Sequence, residues 1–123
     1  MAKSILIVDD EADVRDIIQM GLEMATDWQV LCASSGAEAL VTAAEQIPDV
    51  ILLDLMMPEM DGRATLRQLK SNPTTQAIPV ILVTAKAQAF QPSHIPDLNV
   101  AAVLAKPCRP LKLAAEISKI LGW

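Results

Sequence analysis

Five residues of this 123-residue chain follow short apolar runs and carry groups that can act together. Asp9 and Asp10 come after Ile5 to Val8, Asp54 after Val50 to Leu53, Thr84 after Val80 to Val83, and Lys106 after Val103 to Ala105. Carboxylates held close together repel one another strongly unless a cation or protons neutralise them. A hard divalent ion is the natural solution, and Mg2+ uses one or two carboxylates, several waters and the oxygens of a phosphate group. The Lys106 ammonium and the Thr84 hydroxyl, beside such an ion, can neutralise the equatorial oxygens of a transferring phosphoryl group. A carboxylate in that setting can attack phosphorus, and Asp54 is the candidate nucleophile. An acid directly after Val50-Ile51-Leu52-Leu53 is costly at a buried strand end unless something pairs it.

These five residues meet only if the elements that carry them end on one edge. Apolar runs this short, between helical patterns, read as buried parallel strands, and in open α/β sheets ligands bind beyond the strands' carboxyl ends. After the first run, Val14, Ile17, Ile18, Gly21, Leu22 and Ala25 recur at helical spacing, with Asp10 as the expected N-cap of an amphipathic helix. Gln29 to Ala33 reads as a strand, and Ser35-Gly36-Ala37-Glu38 is a capping-box pattern opening a helix through Ala39, Leu40, Ala43 and Ala44 that ends at Pro48. Val50 to Asp54 is the third strand, and Asp61 is placed to cap a helix through Leu66 and Leu69 that Asn72-Pro73 stops. Pro79 to Thr84 is strand four and Val100 to Ala105 strand five. A closing helix starts near Pro110, with a stripe of Leu113, Ala114, Ile117, Ile120 and Leu121, and Gly122 terminates it. Between strands four and five, Pro92 and Pro96 and a weak apolar period predict a short or irregular helix, roughly Lys86 to Phe90. Five strands alternating with helices give an α/β fold: a five-stranded parallel sheet, order 2-1-3-4-5, with helices on both faces, doubly wound and flavodoxin-like. That order puts the topological switch between strands one and three, so Asp9, Asp10 and Asp54 face each other across it.

Composition narrows the function classes. Hydrophobic residues make up 52% and charged residues 20%, as expected of one folded domain spanning residues 1–123, with no output domain of its own. The formal net charge is −5, no Lys/Arg cluster can track a phosphate backbone, and Trp28, Phe90 and Trp123 are the whole aromatic supply, which argues against direct nucleic-acid binding. The first apolar run is far too short for a signal-peptide core or a membrane span, so a cytoplasmic protein is expected. Cys32 and Cys108 lack CxxC spacing and read as structural or incidental thiols, and His94 as a solvated loop residue. Met56, Met57 and Met60 read as packing residues, since thioethers select copper(I) while the adjacent carboxylates select hard ions.

Taken jointly and in order, Leu6-Ile7-Val8-Asp9-Asp10-Glu11, Leu52-Leu53-Asp54-Leu55-Met56-Met57-Pro58 with Asp61-Gly62, Val83-Thr84-Ala85 and Lys106-Pro107 are specific. Over essentially its whole length the chain resembles the response-regulator receiver domain of bacterial two-component signalling. The resemblance implies that Asp54 takes a phosphoryl group from a phosphohistidine, on a histidine kinase or a histidine phosphotransfer protein. It implies Mg2+ as cofactor, held by Asp9, Asp10, Asp54 and the Met56 carbonyl, with Thr84 and Lys106 on the phosphoryl oxygens and a cis Lys106-Pro107 peptide. Such a protein is a signalling switch and no enzyme beyond its own phosphoryl transfer and autodephosphorylation. Its downstream protein target is expected to touch strand five and the last helix.

Two departures from the family pattern bear on the readout. Val103 stands where the family usually carries Tyr or Phe, and a stiff Val cannot exchange rotamers as a ring does. The Pro-containing segment from Ala85 to Asn99 falls where the family has a helix of its partner surface. Lys86 and Met56 resemble positions that tune phosphate lifetime, and apolar Met56 is expected to orient attacking water poorly. Taken singly, Asp10 reads equally as a helix cap, Thr84 as a common strand residue and Lys106 as a surface charge. Other functions fit less well. An FMN carrier needs a Gly-rich phosphate loop where Asp9-Asp10-Glu11-Ala12-Asp13 would repel the phosphate, and an aspartate-based phosphatase needs a second acid where Met56 stands. A degenerate binding scaffold would not need the acidic set, Thr84 and Lys106 together.

Overall fold

A strand with sheet neighbours on both edges and helices on both faces has no solvent side, so it is apolar at every position rather than at alternate ones. The computed structural model describes residues 3–55, 62–84, 100–106 and 109–123. Its strands are β1 (Ser4–Val8), β2 (Gln29–Ala33), β3 (Val50–Asp54), β4 (Val80–Thr84) and β5 (Ala102–Ala105). The helices among the described residues are α1 (Ala12–Ala25), α2 (Gly36–Gln46), α3 (Gly62–Ser71) and α4 (Pro110–Leu121). The strands form one parallel sheet in the order β2-β1-β3-β4-β5, as the sequence pattern predicts. β3 and β4 are buried throughout and β1 nearly so, whereas the edge strands β2 and β5 are partly exposed.

Side chains alternate between two cores. Ile5, Ile7, Val50, Leu52, Ile81 and Val83 turn to one face, where they meet Ile18 and Leu22 of α1 and Leu113 and Ile117 of α4. Leu6, Val8, Ile51, Leu53, Val80 and Leu82 turn to the other, against Ala39 and Ala43 of α2 and Leu66 and Leu69 of α3. Each fully buried Leu or Ile contributes about 1.5–3 kcal/mol by leaving water. α1 and α4 come close because Gly21 has no side chain: a Cβ there would lie 2.4 Å from the Cβ of Pro110. At the amino-terminal edge of the sheet, the rings of Trp28 and Trp123 stack edge to face with centroids 5.2 Å apart, and the Lys3 ammonium lies 4.9 Å from the Trp123 ring.

Several local expectations change. Asp10 is not the cap of α1: Glu11 holds that position with extended backbone and no side-chain cap bond, and the Asp9 carboxylate accepts from the Glu11 N–H at 2.9 Å. Ile17 and Ala25 face outward, with Ile17 57% exposed, so the buried stripe of α1 is narrower than the sequence period suggests. The capping box of α2 is half formed. Ser35 accepts from the Glu38 N–H at 3.1 Å, but the Glu38 carboxylate accepts from the Ser34 hydroxyl at 2.9 Å. β4 begins at Val80, since Pro79 has no N–H and contributes only its carbonyl to Ile51 at 3.0 Å. β5 begins at Ala102, although the Ala101 N–H already reaches the Val80 carbonyl at 2.8 Å. Gly122 ends α4 with φ 73°, the left-handed conformation expected of it, while Ile47 does the same for α2 at φ 44°. The expectations placed on Met56, Asp61, residues 85–99, the Lys106-Pro107 peptide and Cys108 lie outside the described residues.

Candidate functional site

Parallel pairing sets the depth at which each strand delivers its terminal residue. Val8 pairs with Leu53, so Asp9 and Asp54 are the next residues on two adjacent strands. Asp54 pairs with Val83 and Thr84 with Ala105, which brings Thr84 and the following Lys106 to the same carboxyl edge. The Lys106 N–H donates to the Thr84 carbonyl at 3.0 Å and prolongs the ladder by one step. The five residues singled out from the sequence therefore share one edge, at the switch between β1 and β3.

Asp9, Asp10 and Asp54 each offer a carboxylate oxygen within 4.8 Å of the others. Asp9 and Asp54 are buried and Asp10 is exposed, so the cluster opens to solvent on the Asp10 side. The Lys106 ammonium bridges the two buried acids, 3.0 Å from Asp9 Oδ2 and 3.2 Å from Asp54 Oδ2. Burial by itself would lower the pKa of this lysine. The hydrogen bond to Asp9 and the charges of Asp54 and Asp9 outweigh that cost, and the net shift is upward from 10.5. Lys106 thus stays cationic at neutral pH, and three formal carboxylates against one ammonium leave two negative charges in excess. The donors are all hard oxygens, so the set fits Mg2+ by both charge and ligand type. Thr84 is fully buried at the end of β4.

Two residues of the site's framework, Gly62 and Arg15, have roles that only their tertiary contacts reveal. Gly62 opens α3 flush against β3: a Cβ there would lie 2.6 Å from the Asp54 carbonyl oxygen and 2.6 Å from Leu55 Cα, and the Gly62 N–H donates to Leu55 O at 3.0 Å. The Asp61-Gly62 pair belongs to the resemblance, but the close approach emerges only when β3 and α3 are set side by side. Arg15 donates from Nη1 to the Asp9 carbonyl at 2.6 Å. By contrast, Cys32 stands apart from this chemistry. Burial pushes its thiol upward, with Arg15 opposing and Asp16, Glu23 and Glu38 adding to the rise, which suits an inert thiol.

A family model described as the response regulator receiver domain matches residues 5–118. The chain belongs to that family. Among curated proteins, it is 38% identical to the phosphate regulon transcriptional regulatory protein PhoB of Pseudomonas aeruginosa over 123 residues, covering 98% of this chain and 52% of the relative. It is 50% identical over 86 residues to the response regulator PleD of Caulobacter vibrioides, covering 69% of this chain and 18% of that protein. The chain thus spans about half the length of the first relative, and its matched stretch a far smaller share of the second. Among solved structures, the N-terminal domain of a response regulator receiver protein from Methanoculleus marisnigri superposes with a TM-score of 0.77 at 33% identity, over 98% of this chain and 97% of that one. The chemotaxis response regulator CheY4 of Vibrio cholerae shares the fold, with a TM-score of 0.86 at 24% identity over 98% and 99% of the two chains. Receiver domains are signalling modules of two-component systems, and no helix among the described residues of this one is long and apolar enough to cross a membrane.

Proposed function

We propose that this receiver domain is a phosphoacceptor switch with Asp54 as the acceptor. The observation that carries the reading is the arrangement of Asp9, Asp10 and Asp54 within 4.8 Å, with Lys106 bridging the two buried acids at the switch point of the sheet. An oxygen of the Asp54 carboxylate attacks the phosphorus of a phosphohistidine on a sensor kinase or a phosphotransfer protein. The bond from phosphorus to the imidazole nitrogen breaks, its electron pair returns to the ring, and an acyl phosphate remains on Asp54. Mg2+ held by Asp9, Asp10 and Asp54, with the Met56 carbonyl that the family resemblance adds, would supply the positive charge that lets an anionic phosphoryl group approach an anionic carboxylate.

Lys106 exchanges one of its carboxylate contacts for a phosphoryl oxygen, which keeps the ammonium paired before and after transfer. Thr84 offers its hydroxyl to another of these oxygens from the end of β4. The resulting shift passes to β5 and α4, and a protein target reads it there. Val103, half-buried and packed on the α2/α3 core, has no ring to swing, so the readout depends on strand displacement rather than on a rotamer exchange. A cytoplasmic site of action belongs to the same reading.

The test is incubation with Mg2+ and a small acyl-phosphate donor, followed by intact-mass measurement. One phosphoryl group is expected on the wild type and none on Asp54→Asn. Absence of an Asp54-dependent mass gain refutes the proposal.

A further inference from the structure

We infer that Arg15 is a positioning residue for the carboxylate cluster, acting through the backbone of Asp9; the inference rests on the phosphoacceptor reading and extends it to a residue outside the reacting set. The turn from β1 into α1 lacks the usual fastening, because Glu11 caps the helix without any side-chain hydrogen bond. The turn is held instead through Asp9, every polar atom of which is engaged. Its N–H donates to the Ala33 carbonyl at 3.1 Å, and its carbonyl accepts from Arg15 Nη1 at 2.6 Å. Its Oδ1 accepts from the Glu11 N–H at 2.9 Å, and its Oδ2 accepts from Lys106 at 3.0 Å. Of these four contacts, the one from Arg15 bears on the peptide plane that joins Asp9 to Asp10. A charge-assisted bond to that carbonyl fixes the rotation of the plane, and with it the direction in which the Asp10 side chain leaves the turn. Asp10 is exposed and unburdened by packing, so this constraint is what keeps it within 4.8 Å of Asp9 and Asp54.

Charge and placement make opposite predictions for Arg15. As a mere cation near three acids, it would weaken binding of a divalent ion, and its removal would tighten that binding. As a positioning residue it preorganises the ligands, and its removal loosens binding, by about tenfold on the scale of partners that orient metal ligands. Mg2+ is titrated calorimetrically into the full chain as wild type, Arg15→Met and Arg15→Lys, and hydrogen exchange of the Glu11 amide is followed in EDTA. Arg15→Met is expected to bind Mg2+ about tenfold more weakly and to lose Glu11 protection, with Arg15→Lys recovering part of both because an ammonium still donates to the carbonyl. Equal or tighter Mg2+ binding by Arg15→Met overturns the inference. Unchanged Glu11 protection in Arg15→Met also overturns it, whatever the wild type does with Mg2+. Failure of the wild type to bind Mg2+ or to gain phosphate on Asp54 instead counts against the phosphoacceptor reading, so the two failures are distinct.

Discussion

Replacing Lys106 by Met removes the ammonium that bridges Asp9 and Asp54 while keeping much of the side-chain volume. The two acids are buried, with side chains 3% exposed, and their oxygens lie within 4.8 Å. At that separation and an effective dielectric of about 20, two unit charges repel by about 3 kcal/mol. This lies at the lower end of the range of about 3–5 kcal/mol for breaking a buried pair, as suits a lysine that keeps some contact with water. Unfolding entropy of about 2.1 cal/mol/K per residue over a chain of this length makes each kcal/mol worth about 4 °C, so Tm should fall by about 12 °C. The assay is thermal unfolding by circular dichroism in EDTA and again in excess Mg2+. Ion at about 100 times its dissociation constant stabilises by about 2.7 kcal/mol, so Mg2+ should recover most of the loss. It should also stabilise the variant more than the wild type, in which the Lys106 ammonium competes for the same oxygens. A variant that melts with the wild type in EDTA, or one whose deficit ignores Mg2+, would refute the reasoning.

Gly62→Ala places a methyl 2.6 Å from the Asp54 carbonyl oxygen, so β3 and α3 must part. A loss of about 1–3 kcal/mol in a denaturant melt is expected, with slower phosphorylation of Asp54 by a small donor, and a variant matching the wild type in both would show that the contact relaxes freely. The pH dependence follows from Lys106: burial is the largest single influence and would lower its pKa, but the hydrogen bonds and charges of Asp9 and Asp54 together outweigh it and the net shift is upward. Stability gained from this pairing is fully present below 10.5 and is lost as pH rises through the higher folded value. The difference in denaturation midpoint between the wild type and Lys106→Met should therefore hold from neutral pH to 10.5 and shrink beyond it. A gap that stays constant to strongly alkaline pH would sink this assignment.

Strand positions and the identity of the carboxyl-edge residues were legible because both follow from local chemistry. Apolar runs such as Val50 to Leu53 cannot be exposed at either face, and a polar residue at the end of each marks where the sheet meets solvent. The end of α4 at Gly122 was equally plain, since glycine tolerates the left-handed conformation that closes a helix. The cap of α1 was misread. Asp10 is a good capping residue in isolation, but the neighbouring Asp9 accepts the Glu11 N–H and Asp10 is drawn into the carboxylate cluster. A propensity describes one residue against an average background, and here a non-local charge cluster altered that background.

By itself the sequence determined the fold class, the order of elements and the five residues carried to one edge, because periodicity and side-chain type are properties of the chain. Tertiary structure decided what those residues touch. Lys106 is shared between Asp9 and Asp54, two residues far apart in sequence from it, and that bridge exists only once β5 is docked beside β4. Gly62 matters because α3 returns against the backbone of Asp54, and Arg15 because one turn of helix lifts its guanidinium back over the Asp9 carbonyl. These are contacts between groups whose separation is set by packing, and no local pattern in the chain encodes a distance.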